Sequence, residues 1–299
     1  MNDFAPLSKE QILEVEGSQS LSYLQDAGRR FCKNRMAMFC LLLLCFFCIM
    51  AIIGPMLSSY SYTKIYLARK NMAPCPLYWF GSDDLGRDVF CRVWWGARIS
   101  LSIGFAAAIL DGAIGVAWGS IAAYFGGWVD ELMMRICDVL HAIPTLLMVL
   151  LLTVYMGSGL KTIFLTLALI GWINMARITR AQILQIKQSD YILSAKAIGA
   201  STTRIVARHL IPNALGPILA TVTLTIPAAI FMEAFLSFLG LGLQAPYASW
   251  GVMINEGIGA MEFYPWRLLF PSILITLTML SFNIVGNALR DALDPRLRS

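Results

Sequence analysis

Charge is scarce in this 299-residue chain: 14% of its residues are Asp, Glu, Lys or Arg, against 58% hydrophobic. With a mean hydropathy of +0.68, that balance excludes a soluble globular domain and points to a polytopic membrane protein. Histidine is scarcer still. His141 and His209 are the only two, far apart, and the seven cysteines are scattered, several of them (Cys40, Cys45, Cys48) inside apolar runs. Neither pattern supplies a metal site or a disulfide framework. Catalytic signatures are missing too, with no G-x-S-x-G and no H-E-x-x-H. Lys161 and Thr162 follow Gly157 and Gly159, but the Gly that should precede the Lys of a phosphate loop is absent. Any uphill movement must draw its energy from a partner or an ion gradient.

What is present is a series of apolar runs. Residues 1–35 are polar and end in a basic cluster, Arg29, Arg30, Lys33 and Arg35. Acidic residues come first, unlike a cleaved signal, so this stretch reads as a cytoplasmic tail. Residues 36–56 form a first span, long enough to cross about 30 Å of hydrocarbon. Residues 57–97 read as a folded loop outside the membrane, with Trp79, Trp94 and Trp95 at the interface. Further spans are expected near 99–125, 139–156, 162–180, 213–239 and 268–289. Residues 126–138 read as a polar turn, 240–266 as an outer loop and 290–299 as a tail. Gly115 and Gly119 form a G-x-x-x-G pair that lets a neighbouring helix approach closely. Six spans place both termini on one side. About 15 of the 23 Lys and Arg fall on that side and about 8 on the other, which makes it cytoplasmic.

Two groups of residues invite a functional reading. The first is a polar island at 189–212, SDYILSAKAIGASTTRIVARHLIP, between the fourth and fifth spans. Ser189 or Asp190 is placed to cap a helix. Tyr191, Ala195 and Ile198 share a helical face, and Gly199 stands where a left-handed stop is wanted. Ser201 is placed to cap a second short helix carrying Arg204, Arg208 and His209, which Pro212 ends or joins to the next. Two short helices bent at a glycine make a lever with a docking face; the same pattern also fits an ordinary solvated loop. The second group is polar residues inside spans: Asp111, Asn174, Glu233, Asn283 and Asn287. Such residues face a bundle interior or water, as a polar pathway or as interhelical packing contacts. Glu233, toward the outer end of its span, is also placed to snorkel.

At this point the chain resembles the permease subunits of bacterial peptide-importing ABC transporters, specifically the second of the paired permeases of oligopeptide and dipeptide systems. The polar island resembles that family's coupling motif: a Glu-Ala-Ala triplet, a Gly four residues after its last Ala, and a terminal Pro. Ala195, Gly199 and Pro212 match, while Leu193 and Ser194 replace the usual Glu and Ala. GSDDLGRDVFCRVWWGARISL (81–101), GGWVDELMMRICD (126–138), EAFLSFLGLG (233–242) with SWG (249–251), and LRDALDPR (289–296) resemble other family segments. Asn287 stands where relatives often carry Asp. WINMARITR (172–180) and MEFYPWRLLFP (261–271) look closer to oligopeptide permeases.

The resemblance implies an all-α integral membrane protein with the type I ABC importer permease fold: six transmembrane helices, five of them in a core at 98–289, and coupling helices at 189–212 between spans four and five. It implies ATP-driven import of oligopeptides across the bacterial cytoplasmic membrane by a chain that is not itself an enzyme. The implied partners are a second permease, two ATP-binding subunits, an extracytoplasmic peptide-binding protein and the lipid bilayer, with no nucleic acid. The chain would bind no cofactor, ATP and Mg being used by the partner subunits. Coupling would fall to Asp190, Tyr191, Ser194, Ala195, Gly199, Arg204, His209 and Pro212. The rival expectation is a proton-coupled secondary peptide transporter or channel using Asp111 or Glu233.

Overall fold

A computed structural model describes residues 23–244 and 246–293. Residues 1–22 and 294–299, read above as parts of the two cytoplasmic tails, lie outside the described residues. The end of the tail nearest the membrane is a helix, α1 (Tyr23–Lys33), with an Asp26–Arg30 ion pair one turn apart at 2.9 Å. Asn34 interrupts it and caps α2 (Arg35–Leu57), its side-chain oxygen accepting from the Ala37 N–H at 3.1 Å. The residues that α2 buries are Ala37, Cys40, Leu44, Phe47, Ala51 and Gly54, a seam repeating every three or four residues. Phe39, Leu42, Phe46, Ile49 and Ile52 stay exposed around it. A helix that is apolar all round yet buried along one seam belongs in lipid. Gly54 sits in that seam because a Cβ would meet the Trp94 ring at 2.5 Å.

Residues 58–88 fold compactly around a 3-10 turn (Leu67–Arg69) and lead into α3 (Val89–Phe125), 37 residues long. Asp88 caps α3 by accepting from the Phe90 N–H. The helix starts ten residues earlier than the apolar run suggests, because its charges are neutralised within the fold. Arg92 is paired with Asp83, and Arg98 donates to the carbonyls of Ala51 and Ile52, both at 3.1 Å, while lying over the Trp95 ring. Trp94, expected at the interface, is instead buried in the seam with α2, and Trp95 stacks on Tyr62. Trp79 remains 53% exposed.

The stretch 126–138, expected to be a turn, is helical. α4 (Gly127–Ala142) runs to Ile143 and Pro144, and α5 (Thr145–Met156) leaves at 77° to it. Proline lacks an N–H and pushes the preceding residue out of helical geometry, as seen in the extended Ile143. The 12 residues of α5 reach only about 18 Å, too short to cross alone. Only together can α4 and α5 make a sixth span, bent at Ile143 and Pro144. Next come α6 (Leu160–Ile170) and α7 (Trp172–Lys187), joined through Gly171, so the fourth span ends seven residues later than expected. After α8 (Asp190–Ala197), the helices α9 (Thr202–Ile205) and α10 (Ile211–Phe238) are continuous through a π-helical turn at Val206–Leu210. The chain closes with α11 (Trp250–Ile258) and α12 (Trp266–Leu293). Among the described residues five helices are long and apolar enough to cross a membrane, or six with the bent α4–α5 pair.

The long helix α3 is central, packing against α2, α7 and α10. Its contact with α7 needs the G-x-x-x-G pair. A Cβ on Gly115 would stand 2.6 Å from Met175 Cβ, and one on Gly119 would stand 2.3 Å from the Ala176 carbonyl oxygen. The second obstacle is backbone and cannot rotate away. Gly119→Leu should therefore cost about 3 kcal/mol or more by overpacking, read as loss of folded protein in detergent extracts. Recovery of Gly119→Leu at normal yield and melting temperature would contradict this packing.

Candidate functional site

The island between α7 and α10 is built on the C-terminal ends of α3 and α7. Lys187 closes α7 and donates through Nζ to the Ala123 and Tyr124 carbonyls, at 3.0 and 2.6 Å, at the carbonyl end of α3. A cation is favoured at that end of a helix dipole. The Ser189 hydroxyl does not cap α8; it donates backward to the Ile186 carbonyl. α8 is held by one side chain above all. Ile192 is fully buried with Ile183, Ile205, Leu210 and Ala214. Tyr191 (47% exposed) and Leu193 (53%), on either side of Ile192, and Ile198 (86%), just past the end of the helix, remain uncovered. Asp190, Ser194 and Arg204 are exposed with them, Ala195 is half-buried, and His209 is half-buried along the π turn.

Gly199 stops α8 with φ at +82°, and the Ala200 N–H reaches back to the Ala195 carbonyl at 3.1 Å, the signature of a left-handed helix stop. No atom would lie within 4 Å of a Cβ added there. Ser201 occupies the capping position of α9, but its hydroxyl makes no capping bond. The expected second short helix is not separate. It continues into the fifth span, and Pro212 does not end it. Proline has no N–H for the Arg208 carbonyl, and its ring would strike that carbonyl in a regular α-helix. The wider π turn just before it, closed by Ile211 N–H to Val206 O, relieves the clash. The Asn213 amide donates to the His209 carbonyl at 2.6 Å. The island is thus one short helix, a glycine hinge and the N-terminal end of a 37-residue rod, Thr202–Phe238.

Two ion pairs brace its base and were not apparent from spacing. Arg180 grips Asp130 with two hydrogen bonds, at 2.5 and 2.6 Å, and Arg177 meets Asp138 at 2.8 Å, tying α4 to α7. The helical backbone of 127–142 is what presents Asp130 and Asp138 to α7.

Inside the bundle lies a cavity of about 580 Å³ whose lining includes Asp111, Thr145, Thr166, Gly171, Asn174, Gln182, Thr221, Thr225 and Arg290. The structure brings Asp111 and Asn174 together here and leaves out the other three polar candidates. Glu233 is fully buried elsewhere and does not snorkel; its carboxylate accepts from the Ser100 and Ser237 hydroxyls, both at 2.9 Å. Asn283 and Asn287 lie on an exposed face of α12, and Asn283 donates to its own helix at Met279 O. Gly171 lies beside Asp111, where a Cβ would be 2.5 Å from Asp111 Oδ1.

Residues 58–88 are locked to α3, α11 and α12 by a charge cluster. Asp83 accepts from Arg87 Nε at 2.6 Å and Arg92 Nη1 at 2.5 Å, and Arg92 Nη1 also reaches Glu256 at 2.8 Å. Arg267 adds bonds to Asp84, Asn71 and the Glu256 carbonyl. Burial pushes the Asp83 carboxyl up, but the Arg92 and Arg87 charges and the Arg87 N–H outweigh it and hold it below the usual carboxylate range. Among the described residues no group of three or more His, Cys, Asp or Glu could hold a metal ion. Cys45 and Cys48 are spaced as C-x-x-C within α2, and both are free.

Comparison with known proteins fits this architecture. Residues 115–299 match the family described as binding-protein-dependent transport system inner membrane component. The chain belongs to that family. Residues 22–74 of this transport component also match the N-terminal TM domain of oligopeptide transport permease C. It is 54% identical to the oligopeptide transport system permease protein OppC of Bacillus subtilis, over 95% of this chain and 93% of that one. It is also 54% identical to the dipeptide transport system permease protein DppC of the same organism, over 98% and 92%. The glutathione transport system permease protein GsiD of Escherichia coli O6:K15:H31 is 40% identical over 95% and 94%. Among solved structures, the inward-facing MetNI methionine ABC transporter superposes with a TM-score of 0.57 at 17% identity, over 68% of this chain and 96% of its own. The fold is that of a type I ABC importer permease.

Proposed function

We propose that this transport component is one of two permease subunits of an ATP-driven importer of peptides in a bacterial cytoplasmic membrane, with both termini cytoplasmic. The observation that carries the reading is the island: uncovered apolar side chains on and just after α8, outside the long apolar helices and hinged by Gly199 to the rod Thr202–Phe238. Exposed apolar patches of this kind mark protein interfaces. An ATP-binding subunit docked on Tyr191, Leu193 and Ile198 would move α8, and the continuous α9–α10 helix would carry that motion into the bundle. Two such subunits, a second permease and an extracytoplasmic peptide-binding protein complete the assembly. ATP and Mg would bind the partners, and this chain would perform no catalysis. The relatives named for oligopeptide, dipeptide and glutathione transport support a peptide cargo.

A proton-coupled carrier using Asp111 or Glu233 is the rival. Glu233 is sealed among serines away from the cavity, which leaves Asp111 alone. The deciding experiment is affinity purification of the tagged chain from its native membrane, followed by reconstitution. Two ATP-binding subunits and a second multi-span permease should co-purify, and peptide uptake into proteoliposomes should require ATP and the binding protein. Peptide flux driven by a proton gradient through the chain alone would overturn the proposal.

A further inference from the structure

The cavity holds a carboxylate without a partner. Asp111 is 4% exposed, and its Oδ1 has no hydrogen-bond partner. The other buried acids among the described residues are satisfied: Asp83 by two arginines, Asp88 by Ser58, Glu233 by two serines. A desolvated carboxylate without a donor is costly, and it persists where something else supplies the donor. The volume of about 580 Å³ suits an organic ligand and far exceeds a bare ion. The walls alternate apolar side chains with neutral hydroxyls and amides, such as Thr166, Asn174 and Thr225. Arg290 is the cation among them, on the α12 wall, and no ion pair among the described residues joins it to Asp111. The buried acid thus stands among largely neutral lining groups, with Arg290 exposed in the last turn of α12, and a cationic group of a ligand fits beside it.

We propose that Asp111 is the subsite for the α-ammonium group of a peptide in transit. This rests on the peptide-import reading above and adds the chemistry by which the cavity holds its cargo. An ammonium has three donors and no acceptor, so it can give the carboxylate a charge-assisted bond and offer its remaining N–H groups to the Thr and Asn oxygens of the lining. Gly171 makes room for the acid, since any larger residue there would collide with it. Side chains of the cargo would rest on apolar walls that read no sequence. Recognition of the backbone terminus alone lets one cavity pass many peptides.

The test uses the assembled transporter and two photo-reactive probes, Ala-benzoylphenylalanine-Ala with a free amine and the same tripeptide N-acetylated. Loss of one charge-assisted contact is worth about tenfold or more in occupancy. The free-amine probe should therefore label this chain about tenfold more than the acetylated one. Asp111→Asn should abolish that preference, and Asp111→Glu, which keeps the charge, should retain most of it. Equal labelling of the wild-type chain by both probes would overturn the subsite, as would an undiminished preference in Asp111→Asn. The wild-type comparison decides alone if Asp111→Asn does not assemble. ATP-driven uptake of the tripeptide without any amine preference would sink this subsite and leave the import reading standing. An assembly that neither imports nor is labelled by either probe would remove both.

Discussion

Peptide uptake should fall about tenfold or more in a Gly199→Leu variant, while the amount of chain in the membrane stays near normal. The two halves of that expectation come from one observation. Gly199 has φ at +82° but open space around it. A leucine there meets no neighbour, so the fold is not overpacked. It does pay about 1–2 kcal/mol to hold a left-handed backbone. The cheapest escape is to turn φ negative, which swings α8 against the α9–α10 rod. Ile192 would be drawn from its place beside Ile183, Ile205 and Leu210. The exposed side chains of Tyr191, Leu193 and Ile198 would then meet an ATP-binding subunit at the wrong angle. ATP hydrolysis by the assembly should continue while uptake fails, which separates lost coupling from lost folding. Gly199→Asn should be much milder, because asparagine tolerates the left-handed region. Normal uptake by Gly199→Leu would mean that the hinge angle carries no motion.

The features legible in the sequence are those written in local chemistry. The seam and lipid faces of α2 follow from its apolar run, and the turn at Gly199 follows from its place after a short amphipathic stretch. Other features depend on partners distant in the chain. Charge at Arg92 and Arg98 concealed the first ten residues of α3, because their neutralising groups lie at Asp83, Glu256 and the end of α2. Asp130 and Asp138 made residues 126–138 resemble a solvated turn, yet they are helical residues paired to Arg180 and Arg177. Pro212 reads as a helix boundary by every local rule; a π turn absorbs it and keeps the rod continuous. Five polar residues inside spans could not be ranked by spacing. Only packing shows that Asp111 and Asn174 share a cavity, that Glu233 is satisfied by serines, and that Asn283 and Asn287 lie on an exposed helix face.

Removing the guanidinium of Arg92 should be the most destabilising single change in the charge cluster that holds 58–88, costing about 3–5 kcal/mol. Arg92 is 1% exposed and bridges Asp83, itself nearly as buried, to Glu256. Arg92→Met keeps much of the volume and deletes the charge, leaving two carboxylates to share Arg87. The loss is large because buried Asp83 keeps only one of its two cations, which Glu256 then shares, not because the intact cluster is strongly stabilising. Two of the guanidinium nitrogens, Nε and Nη2, lack partners even now. Neutralising the acids as well, in Arg92→Met with Asp83→Asn and Glu256→Gln, should therefore recover a good part of the loss. Acid adds an independent check. The Asp83 carboxyl is held below its unfolded value, so its contribution is complete above about pH 4 and is lost as pH falls through the lower native value. In Arg92→Met, burial is opposed by Arg87 alone, and the carboxyl should rise, moving the acid loss of stability to higher pH. Melting temperature in detergent, followed from pH 7 downward, reads both effects. An unchanged melting temperature and an unchanged acid midpoint in Arg92→Met would mean that the loop at 58–88 is held by its aromatic stacking, Phe80 on Phe270 and Tyr60 on Tyr78, rather than by its charges.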